Sequence, residues 1–195
     1  MKDEKVLAYC NLFGVLGAIP TLLDTVPEAR EAVGAKKISI GFAVKDGPRG
    51  TLSIDNGQAT MREGIDKCSI KLYFASCKKF NDMIDGKGNP LPVSGFWHLG
   101  FLLGGFTKLT DLLSDYLRPV PEKLKDPVFF ERSTVLMLHV IAGAVAQVFQ
   151  TTQVIASQIL FRVVLLLPVG IKQQRLVRAA LHFLQVQVLQ LLGRK

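Results

Sequence analysis

From residue 37 the apolar positions fall on every second residue. Ile38, Ile40, Phe42 and Val44 alternate with small or polar neighbours, and "KDGPRG" then makes a turn. Such alternation predicts a strand with one buried face. Leu52 and Ile54 carry it into "DNG", where Asn56 and Gly57 accept the positive φ of a tight hairpin. "QATMREG" returns as a third strand. "KCSIKLYF" is a fourth, with Cys68, Ile70, Leu72 and Phe74 on one face.

On either side of this block the period is helical. Residues 4–18 are apolar at helical spacing, with Pro20 as the expected break. In "PTLLDTVPEAREAVG", Pro27 with Glu28 and Glu31 suits a first turn and Gly34 a stop. After the fourth strand, Ser76 caps "CKKFNDMIDG", in which Phe80, Met83 and Ile84 form an inward stripe ended by Gly86. "KGNPLP" is a loop, and the front of "VSGFWHLGFLLGG" reads as a short fifth strand. Leu109, Leu112, Leu113, Tyr116 and Leu117 make a one-faced helix closed by Pro119. "PVPEKLKDP" is a linker, and residues 129–148 form one more apolar helix. The expected fold class is α+β: an antiparallel sheet of about five strands covered by helices.

The segments "ISIGFAVKDGPRGTLSIDNGQATMREG", "CSIKLYFASCKKFNDMIDGKGNPLPVSG" and "GFTKLTDLLSDYL" together resemble the sterol carrier protein family of lipid-binding domains. The likeness covers residues 37–118. It lies in a D/N-G hairpin tip (Asn56-Gly57), a strand ended by Gly64, the helix ended by Gly86, and the order of strands and helices. The helical extension over residues 1–36, the "GFLLGG" stretch and everything after Pro119 depart from that pattern. The resemblance implies a non-catalytic carrier that holds a sterol, fatty acyl chain or similar lipid in an apolar tunnel. Its implied lining is Phe42, Leu52, Ile54, Phe74, Phe80, Met83, Ile84, Phe101, Leu102, Leu109, Leu112 and Leu113. Such a site needs concavity and apolar walls more than polar groups, since each buried ligand CH₂ contributes about 0.8 kcal/mol. The alternative is an accessory or interaction domain that keeps the fold without a ligand.

Composition removes other classes. The net charge of +8 belongs to the tail: residues 149–195 contain six Lys and Arg and no acid, while all 16 acids lie before them. The near-neutral body offers no basic face with stacking aromatics, so nucleic acid is not an expected partner. Cys10, Cys68 and Cys77 show no C-x-x-C spacing, and His98, His139 and His182 are scattered, so no metal is expected. The thiols read as small buried or half-buried groups in a reducing compartment. "MKDEKVLAYCNLFG" lacks the form of a secretory signal, and the cytoplasm is the expected location. "PVSGFW" is no nucleophile elbow, and "GPRG" and "GKGNP" are turns without the ending of a phosphate loop, so no enzyme and no cofactor is expected. Asp82 with Asp85, and Asp111 with Asp115, read as solvated helix faces. His98 reads as a half-buried side chain of an aromatic strand, and Gly100-x-x-x-Gly104 as a bend.

Residues 149–195 stand apart. A membrane span over 154–171 is opposed by Arg162 and Pro168. Over 172–195, Leu176, Ala180, Leu184 and Val188 share a helical face beside Arg175 and Arg178, which suits peripheral contact with a membrane surface or a partner. Eight of the ten Gln also lie in this stretch. "VLGAI" at 15–19 and "IAGAV" at 141–145 are spaced as if a second copy of the body were beginning, yet no strand–turn–strand pattern follows. The tail is therefore expected to be helical or disordered, and to be either an out-of-frame extension of a chain continuing into a second similar domain, or a native amphipathic helix.

Overall fold

The structure is a computed structural model that describes residues 2–65, 67–88 and 92–152. The chain divides into two compact units, Met1–Gln147 and Val148–Lys195. The tail beyond residue 152 lies outside the described residues, and with it the expectations for 154–195.

The first unit is α+β. Helix α1 (Lys2–Tyr9) runs through a π-helical stretch (Cys10–Val15) and a 3-10 turn (Leu16–Ala18) into α2 (Ile19–Thr25). Pro20 is not the break expected of it. It stands in the first turn of α2, where its missing N–H has no helical partner to lose, and the chain adjusts just upstream. Helix α3 (Pro27–Val33) begins on Pro27 and stops at Gly34, whose φ of 58° favours glycine. The Arg30 guanidinium donates to the carbonyls of Leu23 and Asp24, fastening α3 across the end of α2.

Strands β1 (Lys37–Val44), β2 (Arg49–Asp55), β3 (Gln58–Glu63), β4 (Ile70–Phe74) and β5 (Pro92–Ser94) form one sheet in the order β3-β2-β1-β4-β5. Ile38 pairs with Ile54 and Ile40 with Leu52 across the first hairpin, so the apolar alternation of both strands lands on one face as predicted. The sheet is mixed, however, and not antiparallel throughout: β4 pairs with β1 in parallel, Ile40 opposite Ile70 and Phe42 opposite Leu72. The cause lies in the other face of β1. Its outward residues are the small Ser39, Gly41 and Ala43, which leave room for the connection from β3 to pass beneath. A Cβ on Gly41 would lie 2.8 Å from Cys68 Sγ and 3.4 Å from Ile65 Cδ1. Ser39 and Ser69 exchange backbone-to-hydroxyl bonds of 3.2 and 3.0 Å along that path. The chain therefore starts β4 at the same end as β1. Cys68 covers this outer face and does not share the inward face of Ile70, Leu72 and Phe74.

Ser76 caps α4 (Cys77–Ile84) by accepting from Lys79 N–H at 3.2 Å. The fifth strand ends at Ser94. Gly95, at φ 82°, then turns the chain into a 3-10 turn (Phe96–His98), α5 (Leu99–Phe101), a π-helical stretch (Leu102–Phe106) and α6 (Thr107–Leu117). "FWHLGFLLGG" is thus helical, and His98 sits on a helical turn instead of a strand. Helix α7 (Pro127–Thr152) follows a linker containing one 3-10 turn, Lys123–Lys125. Asp126 caps it by accepting from Val128 N–H at 2.9 Å.

One apolar core joins these parts. It runs from Leu12, Leu16, Ile19, Leu22 and Leu23 at the N-terminus, through the inward sheet face, to Phe101, Phe106, Leu109, Leu113 and Leu136. Helix α7 reaches the N-terminal helices by close backbone contact: a Cβ on Gly143 would lie 2.8 Å from Phe13 O and 2.9 Å from Gly14 Cα.

Candidate functional site

Each lining position implied by the resemblance has a definite place. Phe42 comes from β1, Leu52 and Ile54 from β2, and Phe74 from β4. Phe80, Met83 and Ile84 come from α4, Phe101 from α5, Leu102 from the π-helical stretch, and Leu109, Leu112 and Leu113 from α6. All twelve belong to the single core cluster; nine are buried, and Met83, Ile84 and Leu112 are half-buried at its margin. Aromatic contacts tie the layer together, with Phe42 and Phe106 ring centroids at 6.1 Å and Phe74 and Phe80 edge-on at 5.1 Å.

A cleft of about 370 Å³ opens where α3, α6 and the start of α7 meet, lined by Leu112, Tyr116, Phe129, Glu28, Asp115, Lys123 and Asp126. Its apolar wall is the stacked pair Tyr116–Phe129, with ring centroids 4.5 Å apart. Lys123 Nζ sits 5.7 Å from the Phe129 ring centre and 2.9 Å from Asp115 Oδ2. Leu112 is the one of these twelve positions that also lines the cleft, together with Tyr116 of the core cluster and Phe129 packed against it. The helical spacing of 109–117 marked Leu112 and Tyr116 as inward. Phe129, Lys123 and Asp126 gave no sequence signal because they reach the cleft only through the course of the 119–127 linker.

A polar cluster at the other edge of the core went unread. Asn81, 4% exposed, donates to the Glu4 backbone carbonyl at 3.1 Å and to Glu4 Oε2 at 2.7 Å, and accepts from Asn11 Nδ2 at 3.0 Å. It joins α4 to α1 and to the π-helical stretch after it. His139 on α7 lies 3.0 Å from Thr21 Oγ1. Burial lowers the pKa of His139, and a hydrogen bond to the Gly17 backbone partly opposes this. Burial likewise pushes the Cys10 and Cys77 thiols up, which keeps them protonated and weakly nucleophilic.

Asp82, Asp85 and Asp115 form ion pairs at the surface. Asp82 meets Lys78 at 2.8 Å, and Asp85 at the end of α4 meets Lys87 at 3.6 Å and Arg118 at 4.0 Å. Among the described residues, no three His, Cys, Asp or Glu side chains converge as a metal site would require. By length and composition, the helical stretches Glu4–Thr25 and Pro127–Val148 are apolar enough to cross a membrane; 56% of the first and 11% of the second is buried within the fold. Compared with protein-family models, curated proteins and solved structures, the chain matches none of them.

Proposed function

We propose that the chain is a non-catalytic binding protein for a neutral, sterol-like lipid, held between the inward sheet face and the helices above it. The observation that carries this reading is that the twelve apolar positions form one continuous layer, which touches an outside cleft through Leu112. The order of elements supports it: hairpin, glycine-ended strand, strand into helix, short strand, closing helix. Two π-helical stretches, Cys10–Val15 and Leu102–Phe106, contribute Leu102 to this layer and Leu12 and Phe106 to the core around it. Such wide turns recur at functional sites and can adjust more readily than a regular helix. The half-buried Met83, Ile84 and Leu112 are the side chains a ligand would displace first.

The cleft rim selects the head group. It sets three carboxylates, Glu28, Asp115 and Asp126, against the one ammonium of Lys123, which Asp115 already holds. A fatty acid carboxylate there meets excess negative charge, whereas a sterol hydroxyl finds acceptors. Titration of the full chain with a fluorescent sterol and with a fluorescent fatty acid tests this. The expected result is saturable sterol binding near micromolar Kd, about −8 kcal/mol, with the fatty acid weaker. Leu112→Trp, which narrows the cleft where it meets the apolar layer, should weaken sterol binding by roughly tenfold or more, as overpacking of a pocket does.

The accessory-domain reading is favoured by one observation: nine of the twelve positions are buried against one another, with Phe42 and Phe80 fully enclosed. Absence of saturable binding by either probe, with Leu112→Trp indistinguishable from wild type, decides for it.

A further inference from the structure

The helical run after β5 shows an unusual face to water. Trp97 is 85% exposed, Leu103 64% and Phe96 58%, while Phe101, Leu102 and Phe106 of the same run point into the core. Gly100 and Gly104 also lie on the outer side, with nothing within 4 Å of an added Cβ. The outer face of this helical run is thus aromatic, aliphatic and glycine, where a solvated helix face carries charge.

The turn that presents these side chains is fixed. Gly95 has φ 82°, and a Cβ there would meet Ser69 O at 2.0 Å, so only glycine lets the chain bend against the start of β4. This position sets the aromatic pair just beyond Ser94, which pairs with Lys71 across β4 and β5. Lys36 Nζ lies 5.3 Å over the Phe101 ring, and Lys108 is exposed two residues past the π-helical stretch. Among the described residues, Lys36, Lys71 and Lys108 have no ion-pair partner. From residue 86 to residue 110 the sequence has no acid. Nearby in the sequence, Asp55 is held by Lys37 at 2.9 Å, Glu31 lies on α3, and Glu63 and Asp66 precede Lys67.

We propose that this face docks on an anionic lipid bilayer, with Trp97, Phe96 and Leu103 entering the interface and the three lysines meeting lipid phosphates and carboxylates. An indole combines an apolar body with one N–H donor, which suits the water–lipid boundary. Lysines around an apolar wedge add attraction to a negative surface, and that attraction weakens with salt. The inference goes beyond the lipid-carrier reading and does not require it, because it concerns the outer surface of the fold and not its interior. If both hold, the face brings the binding domain to the membrane from which cargo is drawn.

Trp97 is the chain's single Trp, so its emission reports this face alone. The full chain is mixed with vesicles of phosphatidylcholine containing phosphatidylserine. The expected result is a blue shift of Trp97 emission, quenching by lipids brominated on the acyl chain, reversal at high salt, and no shift with phosphatidylcholine alone. In co-sedimentation, a Phe96→Ala/Trp97→Ala double variant should bind these vesicles roughly tenfold more weakly or worse, as loss of buried apolar area dictates. Should that variant fail to fold, bromolipid quenching of the wild type still decides. Three outcomes overturn the proposal. In one, nothing sediments. In another, the chain sediments while Trp97 is neither shifted nor quenched, which assigns binding to the basic tail. In the third, emission is already blue and concentration-dependent without vesicles, which assigns the face to a second copy. Sterol titration without vesicles should be unchanged in the double variant, so failure of either proposal is seen separately.

Discussion

Asn81 shows what a single side chain carries. On a helix read from sequence it is a polar residue next to Phe80, and nothing local marks it as buried, because its partners Glu4 and Asn11 lie 77 and 70 positions away. Asn81→Leu would leave the Glu4 carboxylate and the Asn11 amide without that partner in a partly dry site. It should cost about 1–3 kcal/mol in urea unfolding. His139 makes the second residue-scale prediction. Burial lowers its folded pKa below the unfolded value of 6.5, so its contribution is complete above about pH 6.5 and is lost as pH falls toward the folded pKa. The urea midpoint of the wild type should therefore drop between pH 7.5 and pH 5.5 by more than that of His139→Gln, which cannot take up the proton. Equal drops would place the acid sensitivity elsewhere.

At the scale of elements, what was legible is what repeats at short range. The alternation of Ile38, Ile40, Phe42 and Val44, the Ser76 cap, the Gly34 and Gly86 stops and the 109–117 stripe are all as the pattern predicts. The parallel pairing of β4 with β1 was not read, although the small outward residues Ser39, Gly41 and Ala43 held the clue: an exposed strand face would carry charge. The fifth strand was read from an apolar run whose helical continuation is set by Gly95 and its fit against Ser69. The twelve implied lining positions were legible as inward residues, but the cleft depends on the linker and on α7. Close contact between α7 and the N-terminal helices yields a prediction with opposite signs. Gly→Ala in an open helical position stabilises by up to about 1 kcal/mol, and Gly100→Ala should do so. Gly143→Ala instead forces a Cβ to 2.8 Å from Phe13 O and should destabilise by about 1–3 kcal/mol, as overpacking does. Matched thermal unfolding of the two variants checks both signs.

At the scale of the molecule, an apolar layer lies inside, a cleft with an acidic rim beside it, and an exposed aromatic face outside. Charge follows the same division: the acid-free residues 149–195 add their six cations to a body that is nearly neutral by itself. The central claim is that the interior accepts one neutral lipid. Native mass spectrometry of the full chain, after incubation with an excess of total lipid extract, tests it most directly. The expected result is a population heavier than the chain by one neutral lipid, sterols above fatty acids, and depleted in Leu112→Trp. A spectrum showing only the mass of the bare chain at lipid excess would contradict it.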